Sequence, residues 1–126
     1  MKIVFFSITG QTRRFINKIG HPSFEIDPTN PFVELNEPYI LVVPTYEIGL
    51  TESVNDFIEY KSNRENILGV VGGGNRNFAQ LFIFTAKDIA TDYKVPLLYE
   101  FEFNGTEEDV LNMKKVVDEI DIKNVR

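Results

Sequence analysis

The sequence predicts an open α/β fold: a five-stranded parallel sheet covered by helices. Three observations carry this. Short apolar runs recur at residues 2–6 (KIVFF), 39–43 (YILVV) and 67–71 (ILGVV), too continuous for strands with one wet face. Segments with apolar residues at helical spacing separate most of the strands. The 126 residues fit a single domain, 1–126, with a core of its own.

The elements follow in order. After the first strand, residues 11–19 place Phe15, Ile16 and Ile19 on one helical face. Residues 23–26 form a short edge strand. Residues 27–38 hold Pro28, Pro31 and Pro38, so the crossover there is irregular rather than helical. The strand at 39–43 leads to a helix at 51–60 with Val54, Phe57 and Ile58 inward. The strand at 67–71 leads to a helix at 78–93 with Phe78, Phe82, Ala86, Ile89 and Tyr93 as its core stripe. Residues 97–103 (LLYEFEF) end in strand-like alternation. Asn104-Gly105 turns the chain, and Thr106 with Asp109 matches the Thr-x-x-acid cap of a final helix. Val110, Met113, Val116, Val117 and Ile120 form that helix's buried side. Right-handed crossovers leave few topologies. The one that suits this length is the flavodoxin-like three-layer sandwich, order 2-1-3-4-5.

Composition narrows the chemistry. There is no cysteine, which excludes disulfides, thiolate catalysis and Cys-based metal sites. The single histidine excludes a His-rich zinc site, and no metal ligand set is expected. His21, between Gly20 and Pro22, suits a capping or surface role. The net charge of −6 argues against nucleic acid and anionic membranes as partners. No apolar run approaches a membrane span and no secretory signal opens the chain, so a cytoplasmic setting is expected.

In such sheets ligands sit at the carboxyl ends of the strands, near the switch point. Three loops fall there. The first is Ser7, Ile8, Thr9, Gly10, Gln11 and Thr12. Its hydroxyls, its glycine and the free amides of the following helix suit a phosphate; a Ser/Thr-capped turn is the plainer alternative. It is neither a Walker A loop nor a GxGxxG fingerprint. It lacks the carboxylates of a phosphoacceptor receiver and the cysteine of a small tyrosine phosphatase. The second loop, 45–50, holds Thr45, Tyr46 for stacking, Glu47 and Gly49. A carboxylate there would disfavour added negative charge on a bound ring. The third, 72–77, holds Gly72, Gly73, Gly74, Asn75, Arg76 and Asn77, then Phe78. Three glycines let a flat ligand approach the backbone, or only turn the chain. Arg76 reads as a solvated charge. Together the loops suit flavin mononucleotide (FMN). Phe84, opposite the stripe of its helix, is either an apolar contact for a partner or packs under a neighbouring loop.

The segments FFSITGQTRRFINK, EPYILVVPTY, GVVGGGNRNF and VPLLYEFEFNGTEEDV resemble the NrdI proteins across nearly the whole chain. These are small flavodoxin-like proteins associated with class Ib ribonucleotide reductase. The resemblance implies one non-covalent FMN. Reduced by an unidentified donor, it reacts with oxygen and delivers superoxide or peroxide to the metal-bearing small subunit of the reductase. There the oxidant assembles a dimanganese–tyrosyl radical centre. The implied role is a redox activator rather than a turnover enzyme, with no catalytic residue of its own. A generic short-chain flavodoxin electron carrier is the alternative, and a fold that has lost its cofactor a third. By motif, Ser7, Thr9, Gly10, Gln11 and Thr12 hold the phosphate. Thr45, Tyr46, Glu47 and Gly49 line one side of the ring, and Gly72, Gly73, Gly74, Asn75, Asn77 and Phe78 the other. The second loop is shorter and poorer in glycine than in many members.

Overall fold

A computed structural model of the chain describes residues 1–45, 52–75 and 83–123. The elements are β1 (Lys2–Phe5), α1 (Gln11–Ile19), β2 (Ser23–Glu25), β3 (Tyr39–Pro44), α2 (Glu52–Glu59), α3 (Asn63–Asn66), β4 (Ile67–Gly74), α4 (Phe84–Tyr93), β5 (Leu97–Glu102) and α5 (Glu107–Lys123). The sheet order is β2-β1-β3-β4-β5, and every described pairing is parallel. This is the expected flavodoxin-like order.

Alternation along the central strands builds two cores. Val4, Phe6, Leu41 and Val43 point to one face and meet Phe57 of α2 and Ala86 of α4. Ile3, Phe5, Ile40 and Val42 point to the other and meet Phe15 of α1 and Met113 of α5. Central strands buried on both faces explain the near-continuous apolar runs. The chain leaves β1 toward β2 on one side and returns to β3 on the other. The carboxyl ends of β1 and β3 therefore flank the switch point.

The proline-rich stretch 27–38 carries no helix, as its prolines require. Fully buried Asn63 holds it in place. Its Oδ1 accepts from the Leu35 amide at 2.9 Å, and its Nδ2 donates to the carbonyls of Val33 at 2.7 Å and Phe57 at 2.9 Å. The buried Tyr39 hydroxyl donates to the Asn63 carbonyl at 2.9 Å, and burial pushes that phenol well above its ordinary pKa. Asn63 belongs to α3, a single turn that no apolar period announced.

One helix boundary differs from expectation. The described part of α4 begins at Phe84, and Ile83 before it has φ 57° and ψ 23°. A left-handed β-branched residue interrupts a helix. The fully buried Ile83 packs over Gly72 instead, so a continuous helix from 78 to 93 is not formed. Phe78, Phe82 and the side chain of Phe84 lie outside the described residues. His21 is half-buried and does not cap α1: its Nε2 lies 2.8 Å from the Met1 carbonyl and pins the start of β1.

The cap on α5 is reciprocal. The Asp109 amide donates to Thr106 Oγ1 at 3.0 Å, and the Thr106 amide donates to Asp109 Oδ2 at 3.0 Å. Tyr99 of β5 donates its hydroxyl to Asp109 Oδ1 at 2.7 Å. Burial opposes the charge on Asp109. Hydrogen bonds from the Tyr99 hydroxyl and the Thr106 and Glu102 amides outweigh it and hold the carboxyl below its ordinary pKa. A carboxyl lowered in the folded state adds stability above its unfolded pKa of about 3.9, lost as pH falls through the folded value. Asp109→Asn is therefore expected to lower stability at neutral pH. It should also flatten the acid arm below about pH 4 in urea titrations; an unchanged acid arm would contradict this.

Candidate flavin site

The ends of β1, β3 and β4 are neighbours in the sheet, so residues 7–12, Thr45 and Asn75 gather along one rim. The first loop is the best-defined part. Gly10 sits at φ 90° directly before α1, a backbone that glycine adopts without a Cβ penalty. It gives α1 no side-chain cap, and the first turn contains no acidic residue. The first-turn amides of a helix have no carbonyl partner within it. Here they face the turn with the positive end of the helix dipole. Ser7 is half-buried, and its Oγ accepts from the Arg13 amide at 3.4 Å. Ile8 is 44% exposed, and Thr9 and Gln11 are exposed, whereas Thr12 is buried. Ile8, Thr9 and Gln11 thus lie on the open side of the turn. Glycine, hydroxyls and the amides of a helix start fit an anionic headgroup.

The other two loops start differently from the reading of their sequence. Gly72, Gly73 and Gly74 are the end of β4, not a loop. They pair with β3 (Val43 with Gly72, Pro44 with Gly73) and with β5 (Gly73 with Phe101, Gly74 with Glu102). The glycines at 72 and 73 answer to packing. A Cβ on Gly72 would stand 2.7 Å from Cβ of Ala86 and 2.9 Å from Cβ of Ile83. On Gly73 it would enter the Phe101 ring. The Gly74 carbonyl accepts from the Phe103 amide at 3.0 Å. Thr45 Oγ1 donates to the Gly73 carbonyl at 2.9 Å and so ties the residue after β3 to the end of β4. The third loop begins at half-buried Asn75. Tyr46, Glu47, Gly49, Asn77 and Phe78 lie outside the described residues.

Phe101 stacks on Phe15 with ring centroids 4.0 Å apart and planes 20° apart. Gly105, at φ 82°, lies against Phe15, where a Cβ would also intrude. The ring pair is thus enclosed by Gly73 and Gly105, and it fixes α1 against β5. The sequence pattern named Phe15 as core but gave no sign of this stack.

A family model described as NrdI flavodoxin-like matches residues 3–115. The chain belongs to the NrdI flavodoxin-like family. Among curated NrdI proteins it is 42% identical to that of Bartonella tribocorum over 118 residues, 90% of this chain and 89% of the relative. To the NrdI protein of Beutenbergia cavernae it is 36% identical over 120 residues, 90% of this chain and 87% of the relative. Among solved structures, a short-chain flavodoxin associated with a non-canonical PDU bacterial microcompartment superposes with a TM-score of 0.75 at 14% identity. That alignment covers 98% of this chain and 97% of the other. Oxidised Flavodoxin 2 from Bacillus cereus superposes with a TM-score of 0.70 at 18% identity, covering 97% and 98%. Membership of a flavodoxin-like NrdI family implies flavin binding, and the first loop has the chemistry for it. Among the described residues no helix is long and apolar enough to cross a membrane, and no group of His, Cys, Asp or Glu forms a metal site.

Gly73→Ala separates packing from ligand approach. It is expected to cost about 1–3 kcal/mol in urea unfolding of the flavin-free protein, because the Phe101 ring must move. A neutral substitution would contradict the packing account.

Proposed function

We propose that this chain is an FMN-binding activator of class Ib ribonucleotide reductase, acting on its metal-bearing small subunit. The observation that carries the reading is the NrdI match over residues 3–115, coinciding with an anion-adapted turn at the switch point. Ser7, Thr9, Gly10, Gln11 and Thr12 would hold the phosphate by hydroxyls and main-chain amides, the chemistry that suits a headgroup with no countercation. Asn75 and the residues on either side of the rim would border the ring. Thr45, bonded to Gly73, holds the starts of the second and third loops at a fixed spacing. When bound and reduced, the flavin supplies electrons to oxygen, giving superoxide or peroxide for assembly of the subunit's dimanganese–tyrosyl radical centre. The chain's own task is to bind and orient the group and leave one side of the rim open to a partner. A short-chain flavodoxin carrier shares this fold. The sequence relatives at 36–42% identity favour the activator, since the flavodoxin structures resemble the chain in fold alone.

The test is radical assembly. The FMN-loaded protein is reduced without air and mixed with the apo small subunit and Mn(II). It is then exposed to oxygen and scored by electron paramagnetic resonance. Tyrosyl radical well above a free-FMN control is expected; none above that control would overturn the assignment.

A further inference from the structure

The first turn of α1 carries charge of the wrong sign for a helix start. Acidic residues stabilise that end and basic ones oppose its dipole. Here the first turn has no acidic residue and Gly10 provides no side-chain cap. Arg13 and Arg14 follow at the third and fourth helical positions. Both guanidinium groups lean over the turn: a Cβ on Gly10 would stand 3.7 Å from Nη1 of Arg13 and 4.0 Å from Nη2 of Arg14. Their situations differ. Arg13 forms a two-point pair with Glu25 of β2, its Nε donating to Oε1 at 2.8 Å and Nη2 to Oε2. Among the described residues, Arg14 pairs with no carboxylate. One cation is neutralised by Glu25, although its Nη1 stays near the turn. The other has no carboxylate partner among the described residues and stands beside amides that already carry partial positive charge, in a chain of net charge −6.

We propose that Arg14 is a specificity-determining residue, selecting the phosphorylated flavin over the unphosphorylated one by closing on the headgroup at Gly10. The inference rests on the proposed flavin site at residues 7–12 and adds to it a cation that hydroxyl-and-amide recognition does not require. An anion at the turn would relieve two like-signed features together: the positive helix start formed by its amides, and the Arg14 guanidinium. Arg14 suits that task because its planar fork bonds two phosphate oxygens at once. Glu25 neutralises Arg13 by holding its Nε and Nη2, so that among the described residues Arg14 is the cation beside the turn with no carboxylate partner.

The test is titration of the flavin-free protein with FMN and with riboflavin by fluorescence quenching, comparing wild type with Arg14→Gln and Arg14→Lys. Thermal unfolding of each flavin-free protein is measured alongside. Arg14→Gln is expected to weaken FMN binding by about tenfold or more. Riboflavin affinity should change by less than about twofold, the charge having no phosphate to meet. Lysine should restore part of the FMN affinity. The flavin-free Gln variant should melt no lower than wild type, since removing the cation relieves repulsion at the helix start. Equal loss for both flavins, or unchanged FMN affinity in a wild type that binds FMN, would overturn the role of Arg14 and leave the flavin site standing. A wild type that binds neither flavin would overturn both.

Discussion

The stacked pair Phe15–Phe101 is the contact on which the candidate site depends. It joins the helix that starts at the phosphate-type turn to the strand at the far side of the sheet. Both rings are fully buried, so their contact excludes water and holds α1 by a large apolar area as well as by ring stacking. With α1 fixed, the direction of its first-turn amides is fixed too, and those are the amides proposed to meet the anion. The glycines at 73 and 105 are consequences of this pair: each stands where a side chain would collide with one ring. Close packing at this density leaves little room for compromise.

The opposite face has an equivalent constraint of a different kind. The crossover between β2 and β3 has too many prolines to make its own backbone hydrogen bonds in a helix. One buried amide side chain, Asn63, satisfies it instead. The two devices are independent. One orients the site through apolar contact, and the other seals the α2 face with polar contacts that burial makes obligatory.

Much of this was legible in the sequence. Burial of residues 3–6 and 39–43 on both faces of the sheet follows directly from their apolar runs, and the strand order follows from crossover rules once the strands are counted. The Thr106–Asp109 cap was legible because its partners lie three residues apart. The parts that were not legible depend on distant neighbours. Gly72 and Gly73 read as a loop because a glycine run has no side-chain pattern to mark it as strand. Only the positions of Ala86, Ile83 and Phe101 reveal the reason for it. Ile83 read as helix because its left-handed backbone is set by the space over Gly72, not by its own preference. Arg13 and Glu25 belong to different elements, so their pairing, and with it the contrast between Arg13 and Arg14, has no local signature. The first loop lies at the carboxyl end of β1, beside the switch point, as the crossover rules imply; the burial of the Thr12 side chain, unlike the exposure of Thr9, has no local signature.

The central claim is that main-chain amides at the start of α1, held in place by the ring stack, grip the flavin's phosphate. Amide nuclear magnetic resonance during FMN addition tests it most directly. The account predicts that the signals of Gly10, Gln11 and Thr12 move downfield and saturate together with flavin binding. If FMN binds while those amides keep their positions, the phosphate is held elsewhere and the account is wrong.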